Sequence, residues 1–525
     1  MKYRRTIREL FRFRFFFSLC AFCLFHTGAS AQSVKPVFQY TVSMPDPANH
    51  IFKVTLNCSG WGEDSINLKM PKWMPGYYQL MNYAAEVEHF SAKDKMDKPI
   101  AVKALNGNTW QISNTTNGSF VVSYDVKTSR QFVANSFLDS SHGYIIPAGM
   151  FLYADGYIKN PVSVKINMPA QWKNMATGLE PVTRKTNEFK APDFDILYDC
   201  PILIGNLEEL PSFTVNGIQH RFIGYKMGEF NRVQFMDNLK KVVESAVAVI
   251  GDIPYKEYTF IGIGAGRGGI EHLNNSTVSF DGKNLNTAAG MNTTMVFLAH
   301  EYFHHYNVKR IRPLELGPFD YDKANRTNGL WVSEGLSVYY EYMIVKRAGL
   351  SNEQTLFKNF EKNINAVENN PGRLVQSLTQ ASYETWSDGP FGRQGKDAAK
   401  SISYYDKGPV VGLILDLAIR HSSENKKSLD DVMRFLYWHN YKKLQRGFTD
   451  AEFQQACETV AGRSLSSVFE YVYTTREIDY NTYLAYAGLK LDTQTDAEKG
   501  NKKCTLQRLD NMDAVQADIL QSWLN

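Results

Sequence analysis

The chain has 525 residues, of which 43% are hydrophobic and 21% charged, and its formal charge is +4. That length is ample for two or three domains with substantial cores, and the composition is that of globular protein rather than a disordered or fibrous chain. Six Lys/Arg and one acidic residue fall within residues 1–31, so this leader carries +5 and the remainder about −1, which excludes nucleic acid and anionic membrane surfaces as electrostatic partners.

In chain order, Lys2, Arg4, Arg5, Arg8, Arg12 and Arg14 precede an apolar run from Phe15 to Phe25, followed by Ala29-Ser30-Ala31. This reads as a secretory signal over 1–31, cleaved before Gln32. The apolar run is short for a membrane span, so no stable membrane partner is expected after cleavage. The expected location is periplasmic or extracellular, with an uncleaved anchor as the alternative. Cys20 and Cys23 leave with the signal. Cys58, Cys200, Cys457 and Cys504 remain and allow three full pairings, among which sequence does not choose.

Residues 32–205 read as a β-rich domain. Phe52–Leu56, Phe120–Tyr124 and Val162–Ile166 alternate as strands do, and Asn106-Gly107 and Asn117-Gly118 supply turns. From 206 to 490 the texture is mainly helical. Phe230–Ile250 is an amphipathic helix, and Tyr258–Gly264 is a strand. Helices are expected near Asn352–Val367, Lys407–His421, Leu429–Trp438, Asp450–Ala461 and Leu465–Tyr473, with Ser377–Ser401 a loop at the substrate entrance. Residues 491–525 form a tail. The fold class is multidomain α+β.

The chemistry concentrates in His300-Glu301-Tyr302-Phe303-His304, which matches the HExxH pattern. On a helix, residues four apart share a face, so His300 and His304 can grip one zinc ion. Glu301 stands beside them as general base. Thr293 and Thr294 are candidate caps for this helix, and Met295 to Leu298 run apolar into His300. Zinc needs a third protein ligand, and Glu334 lies in the aromatic-rich helical segment from Asn328 to about Val345. Glu341, two turns further on the same face, is placed to accept the free ring N–H of a histidine. His305 is rotated about 100° from His304 and is not expected to ligate.

Several motifs then point one way together. HEYFHHYNVKRIRP, LGPFDY and LWVSEGLSVYYEY resemble the glycyl aminopeptidase family of zinc peptidases. GAGRGGIEH, PGRLVQSLTQASYETW, SYYDKGPVV and, in the amino-terminal part, PKWMPGYY are also similar to that family's motifs. The resemblance implies a thermolysin-like catalytic domain, with Zn2+ on His300, His304 and Glu334 and with Glu301 as general base. It implies that Glu271 binds the free amino group of a peptide substrate, with Gly268 and Gly269 leaving backbone open beside it. It further implies that Tyr405, neighboured by Tyr404, acts on the oxyanion, and that first residues are small, Gly or Ala. The family's usual PDZ domain is not expected here, because no segment of the sequence reads as one. The function implied is that of an exported zinc aminopeptidase. A zinc endopeptidase with an open cleft, or a catalytically silent peptide-binding protein, is the alternative.

Overall fold

Alternation along the first strands builds the amino-terminal layer. In Val37–Ser43, Phe38, Tyr40 and Val42 point inward while their neighbours face out. This strand lies between Ile51–Ser59, antiparallel with Phe38 opposite Cys58, and Val162–Asn167, parallel with Phe38 opposite Val162. An eight-stranded sheet results, and two four-stranded sheets join it before Gly205. The three strands expected from alternation all lie within strands of this region. The computed structural model describes residues 35–115, 118–128, 130–498 and 500–525. The predicted signal and Asn117 of one predicted turn lie outside the described residues.

A fourth sheet, of six strands, spans Glu208–Val278. Ile218–Gly224, Glu257–Gly262 and Asn275–Val278 run parallel, and Gly269–Glu271 closes the sheet antiparallel to the last of them. Two glycines and a turn bring the chain back sharply here: Gly264 and Gly268 sit at φ 90° and 89°, in the left-handed region. The outer side of Gly269–Glu271 has no strand partner among the described residues.

Helices then pack on this sheet. Arg232–Ile250 starts on an Asn231 cap and ends at left-handed Gly251. The helix bearing the HExxH pattern runs Ala288–Phe303 and is capped by Thr287, whose side chain accepts from the Gly290 amide. The expected caps, Thr293 and Thr294, are instead inside the helix, where their hydroxyls bond the Ala289 and Gly290 carbonyls. Glu334 stands in a π-helical turn, Trp331–Gly335, that leads into Leu336–Arg347. The segment expected to loop contains a helix, Leu378–Asp388, started by a capping box in which Ser377 and Gln380 bond each other's backbone. A helix from Tyr404 to Ser422 follows. The tail is part of the core: Leu489–Thr495 and Lys502–Arg508 form a hairpin, and Trp523 of the helix Ala514–Leu524 donates to the Tyr339 hydroxyl at 3.2 Å. No helix among the described residues is long and apolar enough to cross a membrane. Cys58, Cys200, Cys457 and Cys504 are all buried and unpaired.

The β-rich region reaches into the helical one through PKWMPGYY. Trp73 donates to the Asp320 carbonyl at 2.8 Å and packs edge-on against Trp386, their ring centroids 5.0 Å apart. Trp73 and Tyr78 thereby belong to the apolar core that also holds Leu298, Tyr302 and Leu336.

Candidate metal centre

Helix geometry brings His300 and His304 together as their spacing demands. Their Nε2 atoms face each other at 2.9 Å, and Glu334 Oε2 lies 3.6 Å from the first and 3.2 Å from the second. All three residues are buried. Two imidazole nitrogens pointed at one another cannot both carry protons, and the carboxylate leaves them no other partner. Burial alone would raise the Glu334 carboxyl, but His304 and His300 beside it hold it well below the usual carboxylate range. The same pairing, working against burial, raises both histidines. A convergent two-nitrogen, one-oxygen donor set with mismatched protons is the set that a zinc ion satisfies, so these residues fit the metal.

Each ligand is oriented from behind. His300 Nδ1 makes a 2.7 Å ion-pair contact with Glu341 Oε2. His304 Nδ1 lies 2.8 Å from the Asn307 carbonyl oxygen, which fixes the tautomer that leaves Nε2 bare. Asn307 was not among the residues singled out from sequence. Its amide nitrogen binds the Val332 and Ser333 carbonyls at 2.8 and 3.1 Å and the Ser337 hydroxyl at 3.1 Å, so it joins the chain after His304 to the turn bearing Glu334. The next residue, Val308, is held at φ 145°, a strained conformation for a β-branched side chain.

The remaining candidates surround this triad. Glu301 is buried, and burial pushes its carboxyl up to about 7 against the pull of His300 and His304. Gly269 explains its placement: a Cβ there would clash with the Glu301 carboxyl carbon. Gly268 is exposed, and a Cβ on it would lie 3.6 Å from the Val133 side chain. Glu271 is 4% exposed, and its Oε1 has no hydrogen-bond partner. Its Oε2 packs where a side chain on Gly76 would have to sit, 2.9 Å from that ideal Cβ.

Tyr405 donates to Glu334 Oε2 at 2.8 Å. Tyr404 turns the other way, its hydroxyl 3.0 Å from the Thr385 hydroxyl in the core. Tyr405 reaches the centre because its helix crosses the Glu334 turn at two glycines: an ideal Cβ on Gly335 would lie 2.6 Å from the Gly408 Cα. Sequence reasoning also missed Tyr78. Burial raises its phenol far above the usual value, and Glu334 and Glu271 nearby raise it further. The missed signal was PKWMPGYY, whose tyrosine comes from the β-rich region. Phe391, 72% exposed, packs on the Tyr405 ring at 5.5 Å. His305 stays out of the cluster, as expected: its Nδ1 faces the Tyr302 carbonyl at 3.1 Å, and burial keeps it neutral.

Two family models match the chain: the peptidase M61 N-terminal domain over residues 39–206 and the M61 glycyl aminopeptidase domain over 293–411. A crystal structure of an aminopeptidase N family protein from Idiomarina loihiensis superposes with a TM-score of 0.82 at 26% identity, covering 89% of this chain and 81% of that one. The M1 zinc metallopeptidase of Deinococcus radiodurans shares the fold at a TM-score of 0.51 and 12% identity, over 85% of this chain and 94% of that one. A mutant of the same enzyme bound to a Tyr-Ser-Ala substrate superposes with a TM-score of 0.51 at 14% identity, over 84% and 94%. No curated protein matches the chain.

Proposed function

Because the chain belongs to the M61 glycyl aminopeptidase family of zinc metallopeptidases, we propose that it releases the first residue of peptides that carry a free amino terminus. The observation that carries this reading is the Glu271 carboxylate. A buried carboxylate oxygen with no protein partner, set on an open sheet edge next to the metal triad, is a ready acceptor for an ammonium group. A peptide held there by its terminus presents its first amide bond to the centre.

Each residue then has one task. The unpaired edge of Gly269–Glu271 offers backbone groups along which an extended peptide can lie. His300, His304 and Glu334 hold zinc, which supplies Lewis acidity to the site. Glu301 takes the proton from the attacking water and passes it to the departing amine nitrogen, a task suited to a carboxyl whose burial sets it near neutrality. Tyr405 gives its phenol proton as a hydrogen bond to the oxyanion. The resemblance places Gly and Ala among the first residues accepted. The basic leader with its apolar run supports export, to a periplasm or the exterior.

Paired peptides test the reading: one begins with free Ala, the other with acetylated Ala, and the mature protein is loaded with zinc. Cleavage of the free form alone, lost in Glu301→Gln, is expected. Equal cleavage of both would remove the ammonium-binding role of Glu271 and leave an endopeptidase.

A further inference from the structure

Glu271, Tyr78 and Gly76 also form one wall of a cavity of about 680 Å³ that none of the metal ligands lines. The other walls come from the chain after His304, including Lys309 and Arg312, and from the segment holding Asp193, Asp195 and Asp199. The aspartates are already neutralised. Lys159 makes ion pairs with both Asp193 and Asp195, and Lys309 reaches Asp199 at 2.5 Å.

Arg312 is different. It is half-buried, and no carboxylate among the described residues lies within ion-pair distance of its guanidinium. Its head packs between Gly317 and Phe319. A side chain on Gly317 would collide with it, and the Phe319 ring centroid lies 6.0 Å away. Arg310, also on the wall, is buried and spends its hydrogen bonds on the carbonyls of Leu273, His305 and Pro254 at 3.0, 2.7 and 3.2 Å, adding positive charge without a counter-ion. A guanidinium with no ion-pair partner, whose nearest acidic neighbour on the cavity wall is Asp195, is a site for a planar anion, because a carboxylate can accept two of its N–H groups at once.

Resting on the aminopeptidase reading, we propose that this cavity receives the side chain of the substrate's first residue and that Arg312 there binds an anionic side chain, the carboxylate of glutamate or aspartate. The first side chain branches one carbon from the ammonium that Glu271 holds, and the cavity begins at Glu271. Gly and Ala leave the cavity to water and gain nothing from Arg312. Gln fills the same space as Glu without its charge, so Glu against Gln isolates the contribution of Arg312.

The test is kcat/KM for peptides identical except for Glu, Gln or Ala at the first position, with zinc-loaded wild type, Arg312→Gln and Arg312→Lys. Wild type should favour Glu over Gln at least tenfold. That ratio should fall toward one in Arg312→Gln and be partly kept in Arg312→Lys. Equal cleavage of Glu and Gln peptides by wild type, or an unchanged ratio in Arg312→Gln, overturns the proposal. Should Arg312→Gln fail to fold, free glutamate and free glutamine serve as inhibitors of Ala-peptide hydrolysis by wild type. Glutamate at least tenfold tighter supports the subsite, and equal inhibition overturns it. If the Ala peptide is cleaved but Glu and Gln are equal, only this inference fails; if no free-amine peptide is cleaved, the aminopeptidase reading fails first.

Discussion

His304 Nδ1 and the carbonyl oxygen of Asn307 are 2.8 Å apart, so the residue that closes the HExxH helix is oriented by the turn it starts. The same asparagine ties that turn to the one bearing Glu334. Asn307→Ala removes the ties from this side chain to the Val332 and Ser333 carbonyls and to the Ser337 hydroxyl, while Ser337 still donates to the Ser333 carbonyl at 2.7 Å. We expect a loss of roughly 1–3 kcal/mol in stability and of about 10–100-fold in zinc affinity. Denaturant melts and competition with a chromophoric chelator would measure the two. Unchanged zinc affinity would mean that Asn307 merely fills space.

Gly269→Ala pushes a methyl group into the Glu301 carboxyl. Because Glu301 is not a ligand, bound zinc should stay near one per chain while turnover falls at least about 100-fold, within the range assigned to general-base catalysis. Zinc analysis beside kinetics checks this. Full activity would show that Glu301 can work from another position.

Gly408→Ala would place a Cβ 2.5 Å from the Gly335 Cα, where two helical segments touch. Overpacking of this kind costs about 1–3 kcal/mol. Separation of the segments should also break the 2.8 Å bond from Tyr405 to Glu334. A lowered Tm together with a reduced kcat is expected; a lowered Tm with normal kcat would uncouple Tyr405 from the reaction.

Stability should fall in mild acid through His220. This residue is fully buried, with Nδ1 facing the Ile218 carbonyl at 3.0 Å and Nε2 facing the Tyr255 hydroxyl at 2.8 Å. Burial pushes its pKa down to about 4 from 6.5. Between those values the unfolded chain binds a proton that the folded chain refuses. Its contribution is therefore complete above pH 6.5 and is lost as pH falls toward 4, at most about 3 kcal/mol. Urea melts at pH 7.5, 6 and 4.5 should show this slope in wild type and a flatter one in His220→Gln. Parallel slopes would place the acid sensitivity elsewhere.

What sequence revealed follows the range of its signals. HExxH is local, so the facing pair His300 and His304, with Glu301 beside it, was legible from spacing alone. Glu334 and Glu341 share a helical face and were legible by the same logic. Thr287 was overlooked as the helix cap because Thr293 and Thr294 stand nearer the apolar run, although hydroxyls inside a helix can bond back to their own backbone. The helix Leu378–Asp388 was read as loop because its surroundings are polar. Its capping box, Ser377 with Gln380, was the readable signal. Tyr78 and Arg312 were not legible as partners of Glu271, because no periodicity relates residues that meet only through tertiary packing.

PKWMPGYY has a consequence for when the peptidase can work at all. Gly76 packs on the Glu271 carboxylate, and Tyr78 stands by Glu334, yet both are contributed by the region synthesised first. The helical part therefore does not by itself supply all the side chains that surround Glu271 and Glu334. A chain with the metal helices formed but the early strands undocked has a bare Glu271 and no Tyr78. Docking of the early strands is what closes over the Glu271 carboxylate, so a substitution that loosens them should reach the metal centre from outside its own helices.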